Sequence, residues 1–291
     1  MNAALVVLCH RQEKYAKHIA EGIASQRVTP GKVLVVMDRP LLSERRKTEA
    51  AYSSVPGCEF LVCDSVPDRI ARPPMSEDCT PFMAGHCRNL AIEMLSGTDI
   101  AIFIDGDCIP LPGLVESHIA AHVEGCVTVG RRTECKWGSS DQREIPDPRA
   151  IPIFGKEPGT VTSEKYVANS GVVWTCNFGI TPGAVRRLKD INRALYGVET
   201  VFHPDFCGRW GGEDGFLGME CFYGGIPIRT TPIMDGDGVV HIEHPREDYG
   251  HSHRSFVGFL EAKREELVNL MNAAGMYGGK FTPLSELVGA T

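Results

Sequence analysis

The sequence contains eleven cysteines but no two in the C-x-x-C spacing, which argues against a structural zinc site. It has no run approaching the ~20 uninterrupted apolar residues that a membrane-spanning helix needs. Its first apolar stretch, Ala3–Cys9, is too short to span, and no charged segment precedes it as in a signal peptide. Positive charge is not in excess: a net charge of −7 disfavours extended nucleic acid or an anionic membrane as the main partner. Internal repeats and low-complexity tracts are missing. The expectation left by these absences is a soluble, cytoplasmic globular protein. Its cysteines, odd in number and set in apolar runs, are then reduced thiols packing as small hydrophobes.

The 291 residues, 43% of them hydrophobic, suffice for one large α/β domain or two small ones. Residues 4–8, 33–37, 60–63 and 100–104 are apolar throughout. Between them run helical stripes, Tyr15, Ile19 and Ile23 in one, Met83, Cys87, Leu90 and Met94 in another. Buried strand runs separated by helices predict a parallel sheet covered on both faces. Ligands of such sheets sit beyond the carboxyl ends of the strands, where His10, Arg11, Asp38, Asp64 and Asp105 fall. Residues 137–162, rich in Pro, Gly and charge, predict an excursion loop of the kind that orders over a bound ligand. A strand is expected at 172–180. Thr181-Pro182 then caps a helix with Val185, Leu188, Ile191 and Leu195 on its apolar stripe. Short strands at 226–233 and 239–242 and a last amphipathic helix with Phe256, Leu260, Leu267 and Leu270 complete the pattern.

Three motifs carry chemistry. In Asp105-Gly106-Asp107, directly after a strand, a glycine between two carboxylates permits an unusual turn that converges both on one hard cation. Such a cation neutralises a diphosphate and stabilises a leaving group; the plainer reading is a solvated strand exit. In Trp210-Gly211-Gly212-Glu213-Asp214-Gly215, paired acids flanked by glycines suit an exposed base beside an aromatic platform for a sugar, and the plainer reading is a surface turn. In Val239-Val240-His241-Ile242-Glu243-His244, an imidazole with a carboxylate is a plausible manganese set, although a lone histidine there is more often structural. The adjacent acids Glu213 and Asp214, on an extended segment, point to opposite faces, so one alone faces the reacting centre.

The order of these features resembles the GT-A glycosyltransferases, most closely family 2 enzymes and the galactosyltransferase group with a WGGED box. RNLAIEMLSGTDIAIFIDGDCIP is similar to that family's passage into its DxD motif. NFGITPGAVRRL and GRWGGEDGFLGMECFYGGIPI are similar to its acceptor half, and the likeness runs from Leu5 to His244. The resemblance implies a Rossmann-like mixed α/β sheet with helices on both faces. It implies one catalytic domain over 1–250, with a nucleotide-binding half at 1–110 and an acceptor half at 111–250, followed by a helical extension at 251–291. It implies Mn2+ or Mg2+, a nucleotide diphosphate sugar donor with UDP favoured, hexosyl transfer to a glycan or other hydroxyl, and inversion.

Under that resemblance Asp107 is the principal metal ligand, and Asp105 meets the donor's ribose or the metal. His244 completes the metal site, with His241 as rival or companion. Asp214 is the base and Glu213 holds the acceptor; Arg11, Asp38 and Arg88 contact the nucleotide, and Trp210 lines the sugar pocket. Gly215 stands where the box often continues with an acid, and no arginine follows, so donor sugar and acceptor stay open. The alternatives are a retaining GT-A enzyme and a non-catalytic sugar-nucleotide or glycan-binding module. FIDGD also resembles the nucleophile motif of haloacid-dehalogenase-like phosphatases, but here three strand runs come before it.

Overall fold

Seven consecutive buried residues make Ala3–Cys9 (β1) a central strand. It pairs in parallel with Lys32–Asp38 (β2) and with Ile100–Asp105 (β4), and β2 pairs in parallel with Cys58–Cys63 (β3). The computed structural model describes residues 1–64, 83–136, 173, 175–207, 212–243 and 253–279. Within them the remaining strands are Cys108–Pro110 (β5), Val127–Val129 (β6), Arg132–Lys136 (β7), Asn177–Ile180 (β8), Ile228–Thr230 (β9) and Val239–Glu243 (β10). The main sheet has seven strands in the order β3-β2-β1-β4-β8-β6-β9, and a three-stranded sheet has the order β5-β10-β7. Because β8 runs antiparallel to both β4 and β6, the wholly parallel sheet expected from apolar runs is broken at β8, with β1 to β4 on one side and the parallel pair β6 and β9 on the other. Apolarity reports burial on both faces, not strand direction.

Alternation along β1 divides the core. Ala4, Val6 and Leu8 join Leu34, Val36 and Phe103 on one face, while Ala3, Leu5, Val7 and Cys9 join Val33, Val35 and Ile102 on the other. The second face is covered by Ala16–Ala24 (α1) and Leu114–Ala121 (α4). The first face is covered by Ala84–Glu93 (α3), Pro182–Tyr196 (α5) and Glu213–Tyr223 (α6). Leu42–Tyr52 (α2) buries only Thr48 and Tyr52, too few for a stripe to be legible in its sequence. The capping of α5 follows the expectation: the Thr181 side chain accepts from Ala184 N, Pro182 opens the helix, and Gly197 at φ 69° closes it. In His253–Ala273 (α7), Leu260, Leu267, Val268 and Met271 are buried in the same core as α5 and α6. Among the described residues no helix is long and apolar enough to cross a membrane, and Cys9, Cys58, Cys63, Cys87, Cys108, Cys126, Cys176, Cys207 and Cys221 are free thiols.

Candidate active site

Strand register levels the exits of β1, β2 and β4, since Leu8 lies beside Val36 on one side and Asp105 on the other. The chain leaves β4 through Asp105-Gly106-Asp107 and enters β5 at once. Gly106 N–H donates to the carbonyl of Leu8 at 2.7 Å. A Cβ on Gly106 would stand 2.6 Å from Gln12 Oε1, 3.0 Å from Leu8 O and 3.1 Å from Cys9 Cα. Gly106 is not among the glycines with positive φ. The glycine therefore serves close approach to β1 rather than the unusual turn expected of it.

Asp107 is only 6% exposed. Its Oδ2 accepts from Gln12 Nε2 at 2.8 Å and its Oδ1 accepts from the Cys108 thiol at 3.3 Å. The Asp107 carbonyl accepts from Ile242 N–H at 2.9 Å, which stitches the acidic turn to β10. That stitch sets His241 Nε2 3.6 Å from Asp107 Oδ2.

Arg88, on α3 and 1% exposed, joins the two acidic motifs from below. Its Nη2 donates to Asp105 Oδ1 at 2.6 Å and its Nη1 to Glu213 Oε1 at 2.9 Å. Burial alone would lower the guanidinium's pKa, but Asp105 and Glu213 hold it above its usual value. Burial raises the Asp105 carboxyl, with help from Asp107 and against the pull of Arg88. Arg88, expected at the nucleotide, is thus a strut beneath the site, and Glu213 faces this strut. Arg88→Met is expected to lower unfolding free energy in urea at pH 7 by about 3–5 kcal/mol, because it strands buried carboxylates. A loss under about 1 kcal/mol, the scale of an exposed pair, would contradict the buried bridge.

Gly212, at φ 91°, turns the chain into α6, whose first two residues are Glu213 and Asp214. Successive helical side chains diverge by roughly 100°, which corrects the opposite-face arrangement expected of an extended segment. Asp214 stays half-buried at the helix start. Burial, then the charge of Glu213, raises its carboxyl to about 7, with the Gly215 N–H and Arg88 opposing.

Asp38 is 1% exposed and accepts from His10 Nδ1 at 2.9 Å, Arg39 Nε at 2.8 Å and Met83 N–H at 3.1 Å. Burial would raise its pKa, but the His10 and Arg39 hydrogen bonds bring it below the usual carboxylate value. It ties together the exits of β1 and β2 and the entry to α3. Arg11 (φ 52°) and Arg39 (φ 42°) both hold left-handed backbone at strand exits, strain of a kind that gathers at functional sites. Arg11 and Asp64 are exposed. Sequence reasoning missed Gln12, Arg39 and Arg132; the first two could have been found as neighbours of Arg11 and Asp38, while Arg132 carried no local signal. Trp210, His244 and the 137–162 loop lie outside the described residues.

Among the described residues no three His, Cys, Asp or Glu side chains form a ready metal cage. Carboxylates such as those of Asp105 and Asp107 are the kind of oxygen donors that hard divalent cations take. Mg2+ is usually bound through one or two carboxylates, with substrate phosphates and water supplying the rest, and imidazole is compatible with transition metals.

No protein-family model and no curated protein matches the chain. Solved structures do. S. aureus TarS 1-349 in complex with UDP-GlcNAc superposes with a TM-score of 0.57 at 14% identity, covering 94% of this chain and 72% of that one. GalNAc-T7 with UDP, GalNAc and Mn2+ superposes with a TM-score of 0.58 at 12% identity, covering 94% of this chain and 48% of that one. At these identities the likeness establishes the fold, which is the GT-A fold of nucleotide-sugar glycosyltransferases.

Proposed function

We propose that this chain, built on the GT-A fold, is a metal-dependent glycosyltransferase. It moves a sugar, a hexose by preference, from a nucleotide diphosphate donor, UDP-linked by preference, to an acceptor hydroxyl with inversion at the anomeric carbon. The observation that carries this reading is the Arg88 bridge, which holds Asp105 of the acidic turn and Glu213 of α6 on one guanidinium. It joins the acidic turn to the helix that carries Asp214, which supports reading the two as one site. The binding of UDP-GlcNAc by TarS and of UDP, GalNAc and Mn2+ by GalNAc-T7 supports the choice of ligands.

Asp107, with Asp105 and the imidazole of His244, would hold the divalent cation, which would supply charge neutralisation for the diphosphate leaving group. Asp214 takes the acceptor hydroxyl's proton as that oxygen bonds to the anomeric carbon. The bond from that carbon to the donor's phosphate oxygen breaks, and the electron pair leaves with the diphosphate. Glu213, held by Arg88, keeps the start of α6 in place and presents its remaining oxygen toward the acceptor. Arg11 contributes a cation for the nucleotide, Asp38 frames its pocket, and Trp210 offers the sugar a stacking face. A panel of nucleotide sugars with Mn2+ is expected to show release of the nucleoside diphosphate from one donor above all others, slow without acceptor. Binding of a nucleotide sugar without any turnover, across a broad acceptor set, would instead make the chain a binding module.

A further inference from the structure

The β10 strand brings His241 beside Asp107, but a second contact restricts what its ring can do there. His241 pairs with Cys108 of β5 across an antiparallel ladder, and β10 lies parallel to β7, whose first residue is Arg132. Arg132 Nη2 lies 3.0 Å from His241 Nδ1, and Arg132 Nη1 points to the Cys176 sulfur at 3.7 Å. A guanidinium has five N–H donors and no acceptor. Nδ1 must therefore accept, and a neutral imidazole that accepts at Nδ1 carries its proton on Nε2. Nε2 is the atom that faces Asp107 Oδ2, at 3.6 Å. A cation needs a bare nitrogen, and the partner of the opposite ring nitrogen decides whether it finds one. The usual device is an acceptor at the second nitrogen; here a donor sits there.

Resting on the glycosyltransferase reading of this site, we propose that Arg132 is a positioning residue that fixes the tautomer of His241. His241 then serves as an Nε2–H donor rather than as a metal ligand. In the free protein the N–H is aimed at the Asp107 carboxylate. With donor bound, its target is an anionic phosphate oxygen alongside that carboxylate. The arrangement places a neutral donor where a second anion must approach Asp107, which lessens repulsion without competing for the cation.

Side-chain 15N–1H correlation spectra of the metal-free protein test the first half, with His241 assigned by its loss in His241→Gln. The expected pattern is an unprotonated Nδ1 and a protonated Nε2, retained in Arg132→Lys, whose ammonium still donates, and lost in Arg132→Met. The reverse tautomer in the wild-type protein, or an unchanged pattern in Arg132→Met, would overturn the role of Arg132. Mn2+ titration followed by EPR tests the second half. His241→Gln keeps an N–H donor and is expected to hold Mn2+ affinity within about tenfold, at the lower edge of what outer-shell partners contribute. A larger loss, or disappearance of the Nε2 proton when diamagnetic Mg2+ and UDP are added, would make His241 a ligand and overturn the proposal. If the wild-type protein binds no Mn2+ at all, the cation reading of the site fails and takes the role of His241 with it. The tautomer spectra would still decide the part given to Arg132.

Discussion

Asp214→Asn is expected to lower the transfer rate by about 10²–10⁴-fold, the usual contribution of a positioned general base, while donor affinity stays near that of the wild type. The acceptor hydroxyl must lose its proton as the new bond forms, and the amide of asparagine cannot take it. Asp214 suits the task because burial and the neighbouring Glu213 raise its carboxyl to about 7, which gives it basicity without removing it from use near neutral pH. Rate under kcat/KM conditions should accordingly rise with pH through about 7 in the wild-type enzyme, and that rise should be missing in Asp214→Asn.

The same raised pKa bears on stability with a definite sign. The folded chain holds a proton that the unfolded chain releases above the ordinary carboxylate value of 3.8, so stability falls as pH climbs from there toward about 7. Asp214→Asn should therefore melt above the wild type at pH 8, with the gap closing in acid below that window. Kinetics, calorimetry and NMR of the product anomer together examine the assignment. A variant with near wild-type transfer, or a product that keeps the donor's anomeric configuration, would remove Asp214 as the base and inversion as the outcome.

Withdrawal of the divalent cation is expected to bring donor turnover to background, and Asp107→Ala should reproduce that state with the cation present. Asp107 sits at the junction of the acidic turn, Gln12, Cys108 and β10, so its carboxylate is aimed before any ligand arrives. Under the proposed function, removing it deletes the principal oxygen ligand for the cation. Mn2+ should serve at least as well as Mg2+ if an imidazole completes the set. Because Asp107 also receives two hydrogen bonds, Asp107→Asn provides a check on folding: it keeps the shape and much of the bonding but loses the charge. Turnover by wild-type protein in excess chelator would exclude the metal-dependent mechanism. Turnover by a folded Asp107→Asn variant at the wild-type rate would exclude Asp107 as the ligand.

The apolar runs of β1 to β4, the Thr181-Pro182 cap and the acids at the end of β4 and the start of α6 were legible from residues alone. Each depends on neighbours within a few positions, where periodicity reports burial and cap chemistry reports helix ends. The GT-A architecture was implied by the resemblance of those motifs, in their order, to that family. Other features had no local signature. The antiparallel placement of β8 depends on which strands flank it, and α2 is too exposed to write a stripe. Gly106 is required by the backbone of β1 lying against it, not by its own dihedral angles. Arg88 meets Glu213 across 125 positions, and Arg132 meets His241 across 109. Charge and hydrogen-bond capacity at such residues are written in the sequence, but their partners are chosen only when the sheet closes. Tertiary structure therefore decided that Arg88 is a buried strut, that Glu213 and Asp214 diverge as helical neighbours, and that one face of His241 is already taken by a donor.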